Sequence, residues 1–144
     1  MGHSTTVFRE MGFTAKDWKL EVWLHFLVRE IDQMPRPPDW LCKARDYWSE
    51  QATLAINGCI GTELDRFLID DERVAVVRKL VQHVYDSLHR FGEQVPRDFL
   101  NALCQLPQEG RGSFPHDIQT ELLLSYGRAL LKLLSGKMKS PEYA

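Results

Sequence analysis

The chain has no long apolar stretch and no dominant sign of charge. Its longest uninterrupted apolar run is Val74 to Val77, whereas a bilayer-crossing helix needs about 20 such residues, so no segment is expected to span a membrane. Lys and Arg number 18 against 20 Asp and Glu, a formal net charge of -2. That balance disfavours a protein that neutralises phosphates along nucleic acid. The cysteines are only three, Cys42, Cys59 and Cys104. They are odd in number and too far apart for a paired metal-ligand motif, and read as reduced thiols of a cytoplasmic protein. The opening MGHSTTVFREMGF lacks a basic start followed by an apolar stretch, so it is not expected to be a secretory leader. Gly2 and Thr6 match a myristoylation pattern too short to carry weight. Neither GCIGTE nor GRGSFP supplies the Gly-Lys-Ser/Thr of a phosphate-binding loop, and Ser113 lies outside a nucleophile-elbow pattern. Nucleotide hydrolysis and serine-hydrolase chemistry are unsupported.

What is present is a chain of 144 residues, 44% hydrophobic and 26% charged. That length and composition suit one globular domain with a core of its own. Thr14 and Asp17 read as a helix start, followed by Leu20, Trp23, Leu24, Leu27, Ile31 and Met34 at helical spacing. The prolines of MPRPPD end it. Asp39 is placed to cap a second helix with Trp40, Leu41, Ala44, Trp48, Ala52, Ala55 and Ile56 on its buried stripe, ended by Asn57-Gly58. Thr62 and Asp65 open a short helix carrying Leu64, Phe67, Leu68 and Ile69, and Asp70, Asp71 and Glu72 open a long one that runs to Gly92. A short helix over Phe99 to Leu103, a loop at QEGRGSFPH and a widely apolar last helix capped by Asp117 complete the chain. No segment shows apolar alternation bounded by turn signals, so no sheet is expected. The predicted fold is all-α: an irregular single-domain bundle of five to six helices over residues 1–144, with 1–13 and 137–144 as loosely ordered ends.

No residue combination here points to catalysis. His83, Asp86 and His89 fall on the polar side of the long helix, but the two histidines are six residues apart and diverge, which suits a solvated face better than a metal site. His25, in an apolar stretch, and Cys59, without a cation near it in sequence, are read as structural. No metal and no cofactor are expected. The informative polar feature is a local excess of acid. Residues 34–72 hold eight acids against the four bases Arg36, Lys43, Arg45 and Arg66, and five of the acids lie between Glu63 and Glu72. Helix N-termini account for part of this excess, because acids there complement the helix dipole. The remainder would suit the surface of a basic partner. Asp46, Tyr47, Glu50, Glu63, Asp65, Asp70, Asp71 and Glu72 are therefore the candidate partner-binding residues, with Tyr47 the aromatic lying off the buried stripe.

The string Ala44-Arg45-Asp46-x-Trp48-x-x-Gln51-Ala52, then Asn57-Gly58-Cys59-Ile60, Leu64-Asp65, Leu100-Asn101-Ala102-Leu103 and Leu133-Leu134-x-Gly136, resembles small helical immunity proteins of bacterial contact-dependent inhibition and related polymorphic-toxin systems. The likeness spans Trp40 to Gly136 and rests mainly on core and capping positions. It implies a cytoplasmic protein, not an enzyme, that binds and blocks one cognate toxin domain. It assigns no role to any single residue. An acidic face would suit a nuclease-type toxin, whose substrate surface must be basic. Alternatives are a helical DNA-binding regulator using Arg128 and Lys132 of the last helix, a small helical metal or cofactor enzyme, and a homo-oligomeric scaffold.

Overall fold

A computed structural model describes residues 2–144 and corrects the all-α expectation: six helices are joined by a three-stranded and a two-stranded sheet. Strand β1 (His3–Phe8) and β2 (Met11–Lys16) form an antiparallel hairpin with Phe8 opposite Met11. Side chains alternate across β1, so Ser4, Thr6 and Phe8 turn inward while His3, Thr5 and Val7 face out. The inward hydroxyls are satisfied by distant partners. Thr6 Oγ1 lies 2.9 Å from the Tyr126 hydroxyl, and Ser4 Oγ donates to Asp17 Oδ1 at 2.6 Å. Residues 1–13 were expected to be loose; the described part of that segment is instead the hairpin and its turn.

Helix α1 (Asp17–Asp32) starts where the hairpin ends, so Thr14 sits in β2 and not in a helix cap. Asp17 is 5% exposed and joins three segments. Its backbone N–H donates to Gly2 O at 3.1 Å, Oδ1 receives Ser4, and Oδ2 accepts from the Gly58 N–H at 2.7 Å. The Ile60 N–H completes the clamp by donating to Ser4 Oγ at 3.1 Å. Helix α2 (Asp39–Leu54) follows the proline corner, packs along α1, and buries Leu41, Ala44 and Trp48. Its Trp48 Nε1 donates to Thr62 O at 2.7 Å. Asp39 is the first helical residue, and Pro38 stands at the cap.

After a one-turn helix α3 (Leu64–Phe67), α4 (Asp71–His89) is capped as expected: Asp70 Oδ1 accepts from the Arg73 N–H at 2.9 Å. Val74, Val77, Val81, Val84 and Leu88 recur at three- and four-residue steps and are buried. Strand β3 (Gln94–Val95), helix α5 (Arg97–Leu103) and strand β4 (Ile118–Gln119) come next, with Val95 paired to Ile118. The last helix, α6 (Thr120–Leu134), therefore begins later than expected, and Asp117 accepts from the Arg97 N–H instead of capping it. Helix α6 packs on α4 and α1. Gly127 makes that approach possible, because a Cβ there would lie 2.6 Å from the Trp23 ring. Trp23 Nε1 donates to Leu123 O at 2.8 Å across the same contact.

The C-terminal segment is ordered as well, against the expected frayed tail over 137–144. Met138 is buried, β5 (Glu142–Tyr143) pairs in parallel with β2, and the Ala144 N–H donates to Thr14 O at 2.9 Å. Lys132 Nζ donates to Glu142 at 2.5 Å and ties β5 to α6. The buried apolar side chains of all six helices, β1, β2 and β3 form one contiguous core.

Candidate interaction surface

The eight candidate residues divide between the outer side of α2 and the corner joining α3 to α4. Tyr47, Glu50 and Leu54 stand at i, i+3 and i+7 on α2, so they share a face. The half-buried Tyr47 ring packs against Phe67 with centroids 5.9 Å apart. Arg66 of α3 lies over both rings, 5.7 Å from the Tyr47 centroid and 4.9 Å from that of Phe67. Burial raises the Tyr47 phenol pKa above its ordinary value, and the charge of Glu63 raises it further. Arg66 opposes that shift and Glu50 adds to it. Glu50, Glu63 and Arg66 are thus neighbours of one phenol. Glu63 reaches this place on a backbone with φ +50°, in the left-handed region.

Three of the corner acids, Asp65, Asp70 and Asp71, are engaged by the fold. The Arg9 N–H donates to Asp65 Oδ1 at 2.9 Å, and the Arg9 guanidinium donates to Asp71 Oδ1 at 3.0 Å. Asp70 caps α4. Glu72 is exposed in the first turn of α4, where its charge favours the helix dipole. Asp46 accepts from Arg45 Nη1 at 3.3 Å, while Arg45 also holds Asp32 through two bonds of 2.8 and 3.0 Å. Arg73, one residue past the acidic stretch, stacks over Trp40 at 4.9 Å. Acid density along the chain therefore overstates the free negative charge, because Arg9 and Arg73 are folded in beside it. Glu50 and Glu63 make no salt bridge among the described residues.

Periodicity misplaces two exposed apolar residues. Ile56 was expected on the buried stripe of α2 and is 77% exposed, beside Leu54 at 74%. The helix stops at Leu54 and Ala55 turns extended, with ψ 147°, so Ile56 no longer follows helical phase. The Asn57-Gly58 turn immediately after it was the available signal. Ile69, expected in the apolar set of α3, is likewise exposed because α3 ends at Phe67.

The groups behind the alternative readings are dispersed. Arg128 pairs with Glu121, Lys132 with Glu142, and His83 Nδ1 lies 2.7 Å from Glu30 Oε2. Lys19, buried beside α6, has its pKa lowered by desolvation and by Lys16. Cys59 is exposed and Cys42 half-buried, while burial pushes the Cys104 thiol pKa up to about 12. Among the described residues no three His, Cys, Asp or Glu side chains converge as metal ligands. No described helix is long and apolar enough to cross a membrane. No protein-family profile, curated protein or solved structure matches this chain.

Proposed function

We propose that the chain is a non-catalytic immunity protein that binds a cognate toxin domain in the cytoplasm and holds it inactive. The observation that carries this reading is the patch around Tyr47: Glu50 and Glu63, which make no salt bridge among the described residues, with the exposed aliphatic Leu54 on the same face of α2. A partly buried aromatic, exposed apolar area and a charged margin are the components of a protein interface. The charge favours a basic partner, and complementary charge mainly speeds encounter and excludes wrong partners. A nuclease-type toxin fits this description, because its own substrate surface must attract phosphates. The resemblance over Trp40 to Gly136 supports the same class.

The test is co-expression with the C-terminal domain of the product of the gene directly upstream, scoring growth and co-purification. Rescue of growth with a stable complex is the expected result. Reversal of the patch by Glu50→Lys with Glu63→Lys should abolish the complex while leaving the melting temperature nearly unchanged, since both side chains are exposed. An upstream domain that is harmless, or toxic without rescue, sinks the immunity reading. A complex that tolerates the double reversal moves the interface elsewhere.

A further inference from the structure

On the flank of α2 away from Tyr47, the molecule has an open groove. Helix α1 forms its floor, α2 one wall, and α5 with the chain that follows it the other. Two adjoining cavities of about 520 and 360 Å3 share His25, Thr53 and Gln105, and so form one continuous depression. Along the floor, Glu21, His25 and Arg29 are spaced at four-residue steps and lie in a row. At 1.5 Å per residue the row extends about 12 Å. None of these three side chains makes a hydrogen bond or ion pair with another described residue, although Arg29 lies over the Phe99 ring at 5.5 Å. Arg45, the other cation of the groove, is already held by Asp32 and Asp46. The floor therefore presents a carboxyl group, then an imidazole, then an unpaired guanidinium. Burial lowers the His25 pKa, so its ring is neutral near pH 7 and offers one donor and one acceptor.

A second observation comes from the opposite wall. Gln105 follows α5 with φ +56°, and its N–H donates to Ala102 O at 3.2 Å while the Leu106 N–H donates to Asn101 O at 2.8 Å. This is the helix ending at which glycine is the common residue. The loop is otherwise firmly fixed: the buried Asn101 amide donates to Phe114 O and accepts from the Phe114 N–H, at 3.3 and 2.7 Å. Gln105 in left-handed backbone places a primary amide on the groove wall, and that amide has no hydrogen-bond partner among the described residues. Strain kept at a lining residue points to use of its side chain.

We propose that this groove binds a short extended peptide of about four residues, its amino terminus at Glu21 and its carboxylate at Arg29. Four residues at about 3.3 Å each match the length of that row along α1. The neutral imidazole of His25 and the amide of Gln105 each offer a donor and an acceptor, as a peptide backbone requires. An acid at one end of the row and an unpaired cation at the other suit a zwitterion and are poorly suited to a polyphosphate. The site lies apart from Tyr47, Glu50 and Glu63, so it stands whether or not the immunity reading holds.

The test is titration of the full-length protein with tetra-alanine, followed by amide NMR shifts. Saturable shifts centred on His25, Ser49 and Gln105 are expected. Acetylating the peptide amino terminus, or amidating its carboxylate, should each weaken binding by about ten-fold, the value of one charge-assisted contact. In Glu21→Gln the acetylated and free peptides should bind alike, and in Arg29→Gln the amidated and free peptides should bind alike. Gln105→Gly should raise the melting temperature while weakening the peptide. Absence of groove shifts, or equal binding of free and doubly blocked peptide to the unaltered protein, overturns the proposal, and those two arms need no variant to fold.

Discussion

The acids of this protein divide into those the fold uses and those it leaves alone. Asp17 sits in the first class at full depth, clamping β1, α1 and the 57–60 loop. Asp65, Asp70 and Asp71 sit there at the surface, anchoring the hairpin tip and capping α4. Glu50 and Glu63 belong to the second class, and their charge falls instead on the Tyr47 phenol. Both classes look identical along the chain, where eight acids crowd residues 34–72. The difference is set by what the fold brings opposite them. Arg9 reaches Asp65 from 56 residues away, and no described residue makes an equivalent bond to Glu63.

The largest effect that separates the classes is expected at Asp17. Asp17→Ala removes the acceptor of two hydrogen bonds in a buried place and leaves Ser4 Oγ and the Gly58 N–H without it. Bonds to charged groups contribute about 1.5–3 kcal/mol each, so a loss of about 3 kcal/mol is expected by urea unfolding. A loss below about 1 kcal/mol would mean that water replaces the carboxylate and that the clamp is incidental. Next comes Asp70→Ala, expected to cost about 1 kcal/mol as the loss of a helix cap. Asp71→Asn should cost a few tenths of a kcal/mol, because its pair with Arg9 is exposed, and 1 M salt should remove most of that difference.

Glu21 departs from both classes. Burial raises its pKa and the nearby Asp17 charge adds to the shift, so its ionised form opposes folding. With a folded-state pKa above the unfolded one, its contribution is fully present below the unfolded value and is lost as pH rises through the folded value. Glu21→Gln should therefore raise stability near pH 7 and do little at pH 3. A thermal scan at the two pH values checks the sign. The same direction of effect is expected for Gln105→Gly, about 1 kcal/mol in favour of glycine at left-handed backbone. Two groove residues that weaken the fold are easier to understand as parts of a site than as parts of a core.

The helices were legible because α1, α2, α4 and α6 bury residues at three- and four-residue steps, a pattern that survives in the bare sequence. The sheets were not, and the reasons are specific. The inward positions of β1 include Ser4 and Thr6, whose hydroxyls find Asp17 and Tyr126 only in the folded chain, so its alternation is not apolar against polar. Its turn is Arg9-Glu10 with φ of +50° and +67°, where Asn-Gly would have announced a hairpin. Tertiary contacts from Asp65 and Asp71 hold that turn instead. Strands β3, β4 and β5 have two residues each, too few to show a period. The acidic excess was visible, but not its division into anchored and unanchored groups, since Arg9 is remote in sequence and Arg73 lies just past the stretch. Ile56 was lost by carrying helical phase past the last turn of α2.

The finest comparison concerns Tyr47, which senses the second class of acids directly. Burial is the largest cause of its raised pKa, Glu63 the next, with Arg66 opposing and Glu50 adding. Glu63→Gln removes a negative charge without removing the ring from Phe67, so the phenol should titrate at lower pH than in the unaltered protein. Glu50→Gln should move it in the same direction by less, and Asp71→Asn should leave it in place, because Asp71 is turned to Arg9. Absorbance of the phenolate, read against a Tyr47→Phe reference to isolate this ring, follows the titration. Equal shifts from Glu63 and Asp71 would mean that a diffuse field, and not a local group of acids, acts on Tyr47. A shift from Glu63 alone would locate the unpaired charge at the interface proposed for the partner, and salt should reduce it, since exposed charges are screened within about 10 Å at 0.1 M.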